Sequence, residues 1–293
     1  MDLGKKWNWA GREAKRNVSR IFRCKDKALE LGEKTLIMAI VNITPDSFSD
    51  GGQYLEVSHI VSHVEELLQS GADIIDIGGE STRPGYRVVS AEEEWDRLMN
   101  PILALRSTWP EICLSVDTQK AWVAEQAVKA GVDIVNDIWG LSKDANMARI
   151  VAEYGSGLVM MFNRDPSWDP GQVNLREMTD FFVGQLRGAK DAGIADDHIL
   201  VDPGLGFGYG VQDNWRVLRH LEEFQGLGAG ILLGPSRKRF LGQVTRKPPE
   251  QRDVATAAVC ALAVAKGVDV LRVHNVETAS DALQVADEWY RHA

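Results

Sequence analysis

The chain is poor in cysteine, in surplus positive charge and in long apolar runs, and each shortage excludes something. Its 3 cysteines, Cys24, Cys113 and Cys260, lie far apart in 293 residues and form no CxxC pair and no metal-ligand cluster. Reduced, structural thiols in a cytosolic protein are the simplest reading. The net charge of −9 argues against general nucleic-acid binding, which needs a basic face, but leaves room for a local basic pocket. No apolar run approaches the length of a membrane span, and the N-terminus lacks the apolar core of a signal peptide. The expectation is a cytoplasmic chain with neither nucleic acid nor membrane as partner.

What is present is an ordinary globular composition, 44% hydrophobic and 26% charged, enough for a sizeable core. Residues 1–34 stand apart as a basic extension, with Trp7 and Trp9 among Lys5, Lys6, Arg12, Lys15, Arg16, Arg20, Arg23, Lys25 and Lys27. One reading is an anion-binding or membrane-surface segment. The other is a solvated arm, a short strand plug or a helix laid across the domain, which the lack of a clean apolar stripe favours.

From residue 35 onward strands and helices alternate. Strands are expected at 35–42, 73–78, 112–117, 133–137, 157–163, 198–202, 230–234 and 269–274. Helices are expected at 57–70, 91–107, 121–130, 146–154, 175–192, 214–224, 253–266 and 279–290. Ser90 with Glu93 fits a capping box, and Gly71, Gly131 and Gly267 close helices before the next strand. Eight such units predict a (β/α)8 TIM barrel over 35–293, a single domain after the extension. The rival doubly wound sheet wants GxGxxG after its first strand, whereas Val41-Asn42-Ile43-Thr44-Pro45 stands there. The long connections 44–54 and 79–90 fall at the C-terminal face, where barrel active sites are built and lids form.

The stretch His198-Ile-Leu-Val-Asp202-Pro-Gly-Leu-Gly-Phe207-Gly208 shows the plan: a short buried strand delivers an acid to a glycine-rich loop. Other strand ends carry Asn42, Glu80 to Arg83, Asp117, Asn136 and Asp137, Asn163 and Arg164, Ser236 to Lys238, and Arg272 with His274. Singly, each has a bland explanation: Asp117 with Thr118 as a helix cap, Asn136-Asp137 as turn chemistry. Convergence of all of them is harder to explain structurally. Asp117, Asn136, Asp202 and Lys238 suit a flat, nitrogen-rich heterocycle with an amino-amidine edge. Arg272, His274, Asn42 and the Ser236-Arg237-Lys238 turn suit an anion, foremost a phosphate.

Seven segments together resemble the dihydropteroate synthase family. They are Asn42-Ile-Thr-Pro-Asp46-Ser-Phe-Ser-Asp50, Asp76-Ile-Gly-Gly-Glu80-Ser-Thr-Arg-Pro-Gly85, Ser115-Val-Asp117-Thr118, Val135-Asn136-Asp137, Asp202-Pro-Gly-Leu-Gly-Phe207, Gly234-Pro-Ser-Arg-Lys238 and Arg272-Val-His274. The resemblance implies a transferase of folate biosynthesis. It would join 6-hydroxymethyl-7,8-dihydropterin diphosphate to 4-aminobenzoate and release pyrophosphate. It implies pterin contacts and catalysis at Asp117, Asp202 and Lys238, with Asn136 beside them. It further implies a diphosphate pair in Arg272 and His274, a substrate contact at Thr82, Asn42 as a ligand of Mg²⁺, a homodimer, and a sulfonamide target. The loops carrying Asp46, Phe48 and Arg83 would close over the pocket.

Three positions depart from the family pattern. Phe162 replaces a usual His, Arg239 replaces the last Ser of Ser-Arg-Lys-Ser, and Tyr209-Gly210 replaces a Lys-Thr pair. Arg239 would either ion-pair with the 4-aminobenzoate carboxylate or turn outward. Two rival functions stand beside the synthase: a methyltetrahydrofolate methyltransferase on the same barrel, which handles no diphosphate, and a catalytically weak pterin-binding paralogue.

Overall fold

The computed structural model describes residues 20–43, 53–80, 88–163, 174–208 and 210–292, with only the backbone described for 53–56. Two strands, β1 (Arg20–Cys24) and β2 (Lys27–Leu31), pair as an antiparallel hairpin. Eight parallel strands then close into a barrel: β3 (Leu36–Asn42), β4 (Ile74–Gly78), β5 (Cys113–Asp117), β6 (Ile134–Asp137), β7 (Gly157–Met161), β8 (Ile199–Asp202), β9 (Gly230–Leu233) and β10 (Val270–Val273). The helices are α1 (Gln53–Gln69), α2 (Ala91–Thr108), α3 (Ala121–Lys129), α4 (Met147–Tyr154), α5 (Leu175–Asp191), α6 (Val211–Arg219), α7 (Arg239–Thr245), α8 (Asp253–Val264) and α9 (Val276–Tyr290). The (β/α)8 expectation holds, with one addition. Helix α7 stands between β9 and α8, where sequence periodicity gave no signal: its 7 residues contain Gly242 and are too few to show an apolar stripe. Among the described residues no helix is long and apolar enough to cross a membrane.

The barrel strands read as unbroken apolar runs because both of their faces are buried. Side chains still alternate. Ile37, Ala39, Val41, Ile75, Leu114, Val135, Val201 and Leu271 face the helix layer and join one large core. Leu36, Met38, Ile74, Cys113, Ile134, Val159, Leu200, Leu232 and Val270 face inward and form a second core at the bottom of the barrel.

The hairpin closes that bottom. Phe22, Cys24 and Leu31 are buried in the inner core. Room for them is made by glycine at two strand starts. A β-carbon on Gly157 would lie 2.7 Å from Phe22 Cζ, and one on Gly230 would lie 2.7 Å from Leu31 Cδ1. Cys24 and Cys113, distant in sequence, meet here with sulfurs 3.7 Å apart, and all three thiols are free and buried.

Of the described basic residues of the extension, Arg20, Arg23, Lys27 and Lys34 pair with acids and Lys25 donates to the Val128 carbonyl, which favours the strand-plug reading for residues 20–34. A Gly-x-Asp sequence recurs before three strands, giving Asp73, Asp133 and Asp269. Each carboxylate accepts a backbone N–H of the preceding barrel strand, from Ile37 at 2.9 Å, Leu114 at 2.9 Å and Ile231 at 2.8 Å. Each also takes a cation: Lys34 on Asp73, Lys27 on Asp133 at 2.8 Å, and Arg20 on Asp269 at 2.9 Å. Residues 1–19, including Trp7 and Trp9, lie outside the described residues.

Because Phe22 is 1% exposed and fills a space that glycine keeps open, Phe22→Ala should cost about 3–5 kcal/mol. A urea unfolding midpoint measures this; a loss below about 1 kcal/mol would mean the hairpin is not part of the barrel core.

Candidate active site

The same inward phase that packs the bottom of the barrel supplies polar groups one layer higher. Two residues beyond Ile74, Cys113, Ile134, Leu200 and Val270 come Asp76, Ser115, Asn136, Asp202 and Arg272. Two further on, β5 ends at Asp117. All but Arg272 are buried.

Arg272 crosses the barrel interior. Its Nε donates to Asp76 Oδ2 at 2.6 Å and its Nη2 to Asp117 Oδ2 at 2.7 Å. Asn136 Nδ2 donates to the same Asp76 oxygen at 3.1 Å. The second oxygens of Asp76 and Asp117 and the Ser115 hydroxyl have no partner among the described residues. Burial, with Asp76 and Glu94 adding like charge, pushes the Asp117 carboxyl up to about 7 even beside Arg272. Asp76 was not among the residues expected from sequence. Its signal was present: an acid inside a buried strand, in phase with Asp117 and Asn136.

Asp202 forms the opposite wall. Its Oδ1 accepts the Gly204 N–H at 2.8 Å, and burial pushes it up to about 6. The loop after it demands glycine. Gly204 has φ +73°, and a β-carbon there would lie 2.0 Å from the Phe162 carbonyl oxygen. Gly206 has φ +81°, and its β-carbon would press on Lys238 Cδ at 2.8 Å. Lys238 is thus held against this loop, its ammonium 4.0 Å from the Phe207 ring centroid. Burial lowers Lys238 to about 8, with Asp202 opposing the shift.

Around the mouth from Arg272, His274 Nδ1 and the Ser236 hydroxyl are 2.8 Å apart, and Ser236 Oγ accepts the His274 N–H at 3.1 Å. Asn42 ends β3 with an exposed side chain, and it lines a cavity of about 300 Å³ together with His63, Arg237 and His274. Arg237 is engaged elsewhere. Its guanidinium forms a two-point pair with Asp253 at 2.7 and 2.8 Å, which anchors a residue at φ +55°. Arg252 Nη1 bonds the carbonyls of Arg237 and Lys238, so this loop is fixed where Lys238 leaves it. The expectation of Arg237 as an anion ligand is therefore corrected to a loop-anchoring role.

Of the expected residues, the structure gathers Asp117, Asn136 and Arg272 through Asp76, and sets Asp202 with Lys238 across from them. Arg272, expected toward a diphosphate with His274, is instead held by the carboxylates of the floor. Arg239 is exposed at the start of α7. Asp137 is turn chemistry, accepting the N–H groups of Trp139 at 2.9 Å and Leu141 at 2.7 Å. Phe162 is core: buried, and edge-on to Phe181 at 5.1 Å. Asp46, Phe48, Thr82, Arg83, Arg164 and Tyr209 lie outside the described residues.

Among the described residues no group of three His, Cys, Asp or Glu could hold a metal ion. The donor set fits only a cation that takes most of its ligands from water and substrate, as Mg²⁺ does. Asn42, exposed at the mouth, can supply one amide oxygen.

With this geometry in view, the chain was compared with known proteins. The family model "Pterin binding enzyme" matches residues 38–274. The dihydropteroate synthase of Bacillus subtilis is 43% identical over 269 residues, 92% of this chain and 93% of the relative. That of Clostridium beijerinckii is 42% identical over 89% of this chain and 96% of its own length. A Clostridium difficile dihydropteroate synthase solved in the presence of pteroic acid superposes with TM-score 0.86 at 41% identity, covering 90% of this chain and 99% of that one. The Xanthomonas albilineans enzyme with 4-aminobenzoic acid gives TM-score 0.84 at 39% identity, over 92% and 97% of the two chains. A Yersinia pestis dihydropteroate synthase in a sulfonamide drug complex gives TM-score 0.86 at 34% identity, over 93% and 100%. By sequence, fold and the polar residues its strands turn inward, the chain belongs to the dihydropteroate synthase family of pterin-binding enzymes.

Proposed function

We propose that the barrel mouth condenses 6-hydroxymethyl-7,8-dihydropterin diphosphate with 4-aminobenzoate, giving 7,8-dihydropteroate and pyrophosphate, and that the residues divide the work as follows. Asp202 takes the amino-amidine edge of the pterin, two N–H donors side by side on one carboxylate. Asp117 and Asn136 take further ring nitrogens, and Lys238 donates to the ring carbonyl side. The observation that carries this reading is the polar layer itself. Asp76, Asp117, Asn136 and Asp202 stand at inward positions of four strands, where a purely structural barrel would place apolar residues.

The reaction is substitution at a CH₂ bonded to diphosphate. The pterin ring stabilises positive charge developing on that carbon, and the ionised Asp202 favours an electron-poor ring. Asn42 and His274 face the leaving diphosphate, while Arg272 stays on the carboxylates of the floor. Mg²⁺, held by Asn42 and the substrate's own phosphates, would neutralise charge accumulating on that group. The aromatic amine then attacks without a strong base. Arg239, exposed beside Lys238, faces the 4-aminobenzoate carboxylate, and the same contact would serve sulfonamides that mimic it. Helices α8 and α9 expose Val254, Leu262, Val285 and Trp289 together, which supports a homodimer through that face.

The direct test mixes pterin diphosphate, 4-aminobenzoate and Mg²⁺ with the purified chain and measures pyrophosphate and dihydropteroate. Pterin binding without product would leave only a pterin-binding protein.

Asp202→Asn should lose pterin affinity and product formation together, by about 10- to 100-fold, with the barrel still folded by circular dichroism. Normal turnover by that variant would remove the pterin from this wall.

The pH profile follows from three buried groups. Asp202 is ionised above about 6, Asp117 above about 7, and Lys238 is charged below about 8, so kcat/KM for the pterin should form a bell with its acidic limb between about 6 and 7 and its basic limb near 8. In Asp202→Asn the acidic limb should move.

Arg239→Ser should raise KM for 4-aminobenzoate by about 3- to 10-fold and shift sulfonamide inhibition with it, leaving pterin affinity alone. No change in either would turn Arg239 away from the site.

A further inference from the structure

Behind Asp117 lies a second ionic cluster that the pterin contacts do not use. Lys120 ends the turn after β5 and caps α3, and its ammonium is bound by both Glu80 and Glu94. Glu80 follows the end of β4 and is buried; Glu94, in the first turn of α2, is 0% exposed. One oxygen on each carboxylate has no partner among the described residues, and burial pushes Glu94 upward although Lys120 and Thr118 both bond it. Two acids on one cation make an expensive arrangement, where apolar packing would hold the same three elements together.

Its placement gives it a use. In sheet register Gly78 lies beside Asp117, and Asp117 beside Asn136. Gly79 is clasped from α2: Arg97 Nη1 bonds its carbonyl at 2.8 Å, and a β-carbon there would sit 3.0 Å from the Glu94 carbonyl oxygen. On the other side, the N–H of Thr118 bonds the Asn136 carbonyl at 3.1 Å, and the N–H of Lys120 bonds Thr118 Oγ1 at 3.2 Å. The Lys120 cluster therefore ties the end of β4 and the turn after β5 to α2, and that turn holds the Asn136 carbonyl through the Thr118 N–H.

We propose that Lys120, clamped between Glu80 and Glu94, is a positioning residue for pterin recognition by Asp117 and Asn136. It touches no reacting atom. It acts by locking the ends of β4 and β5 to α2, so that the floor presents its acceptor and donor in one geometry. The proposal rests on the pterin assignment given above.

The test measures binding of 6-hydroxymethylpterin, which cannot react, by calorimetry on the full chain. Lys120→Met should weaken it at least about tenfold and raise KM for the pterin diphosphate in parallel, with kcat within about threefold. Lys120→Arg keeps a cation between the glutamates and should recover most of the affinity. A folded Lys120→Met that binds the pterin as the unaltered chain does would overturn the proposal. So would equal loss in Lys120→Arg, since a general loss of stability would not distinguish the two. If Lys120→Met does not fold, Glu94→Gln keeps the volume and leaves Lys120 one carboxylate. It should weaken pterin binding about threefold or more, and unchanged affinity would overturn the proposal. Failure of the unaltered chain to bind the pterin would instead remove the functional reading.

Discussion

One guanidinium inside the barrel sets the character of the active end. Asp76 and Asp117 are buried carboxylates on neighbouring strands, and charge buried there calls for a cation within reach. Arg272 reaches both. Its own position is fixed by phase, because Val270 must face the inner core and Arg272 follows it by two residues. The cluster is thus a product of strand register. A one-residue slip of β10 would bury Leu271 in the acidic floor and send the guanidinium into the apolar layer under the helices.

The two ends of the barrel use buried charge differently. At the bottom, Asp73, Asp133 and Asp269 each hold a neighbouring strand's N–H and a cation, so their charges are matched within the protein. At the mouth, oxygens of Asp76 and Asp117 lack partners among the described residues, and Lys238 and Asp202 are shifted toward their neutral forms. Matched groups stabilise; unmatched groups wait for a ligand. That division follows the general separation in such barrels between a stability face and a catalytic face.

Much of this was legible in the sequence. The eight alternating units were visible because each strand is a short β-branched run between glycine-closed helices. Asp117, Asn136, Asp202 and Lys238 were visible because each lies at or shortly after the end of an apolar run. Asp76 was hidden by the same rule, since it lies inside β4, and only the period-two count from Ile74 exposes it. The hairpin's role was ambiguous because its partners, Asp133, Asp269 and the space above Gly157 and Gly230, lie more than 100 residues away in the chain. Arg237 read as an anion ligand because its partner Asp253 belongs to another helix. Local pattern carries element type and facing; it carries no information on which distant charge closes a pair.

The pH behaviour of Asp202 and Lys238 ties stability to function with opposite signs. Asp202 is raised from 3.8 to about 6, so its contribution to stability is present below 3.8 and is lost as pH rises through about 6. Lys238 is lowered from 10.5 to about 8, so its contribution is present above 10.5 and is lost as pH falls through about 8. Between about 6 and 8 both groups are charged and both oppose folding of the empty site. In that same window Asp202 is a full acceptor and Lys238 a full donor for a heterocycle. A bound pterin would restore the hydrogen bonds these charges lost on burial, so binding stabilises the fold most where the empty site is least stable. The apolar bottom of the barrel, closed by Phe22 and Leu31, is what lets the mouth remain in that unfavourable state.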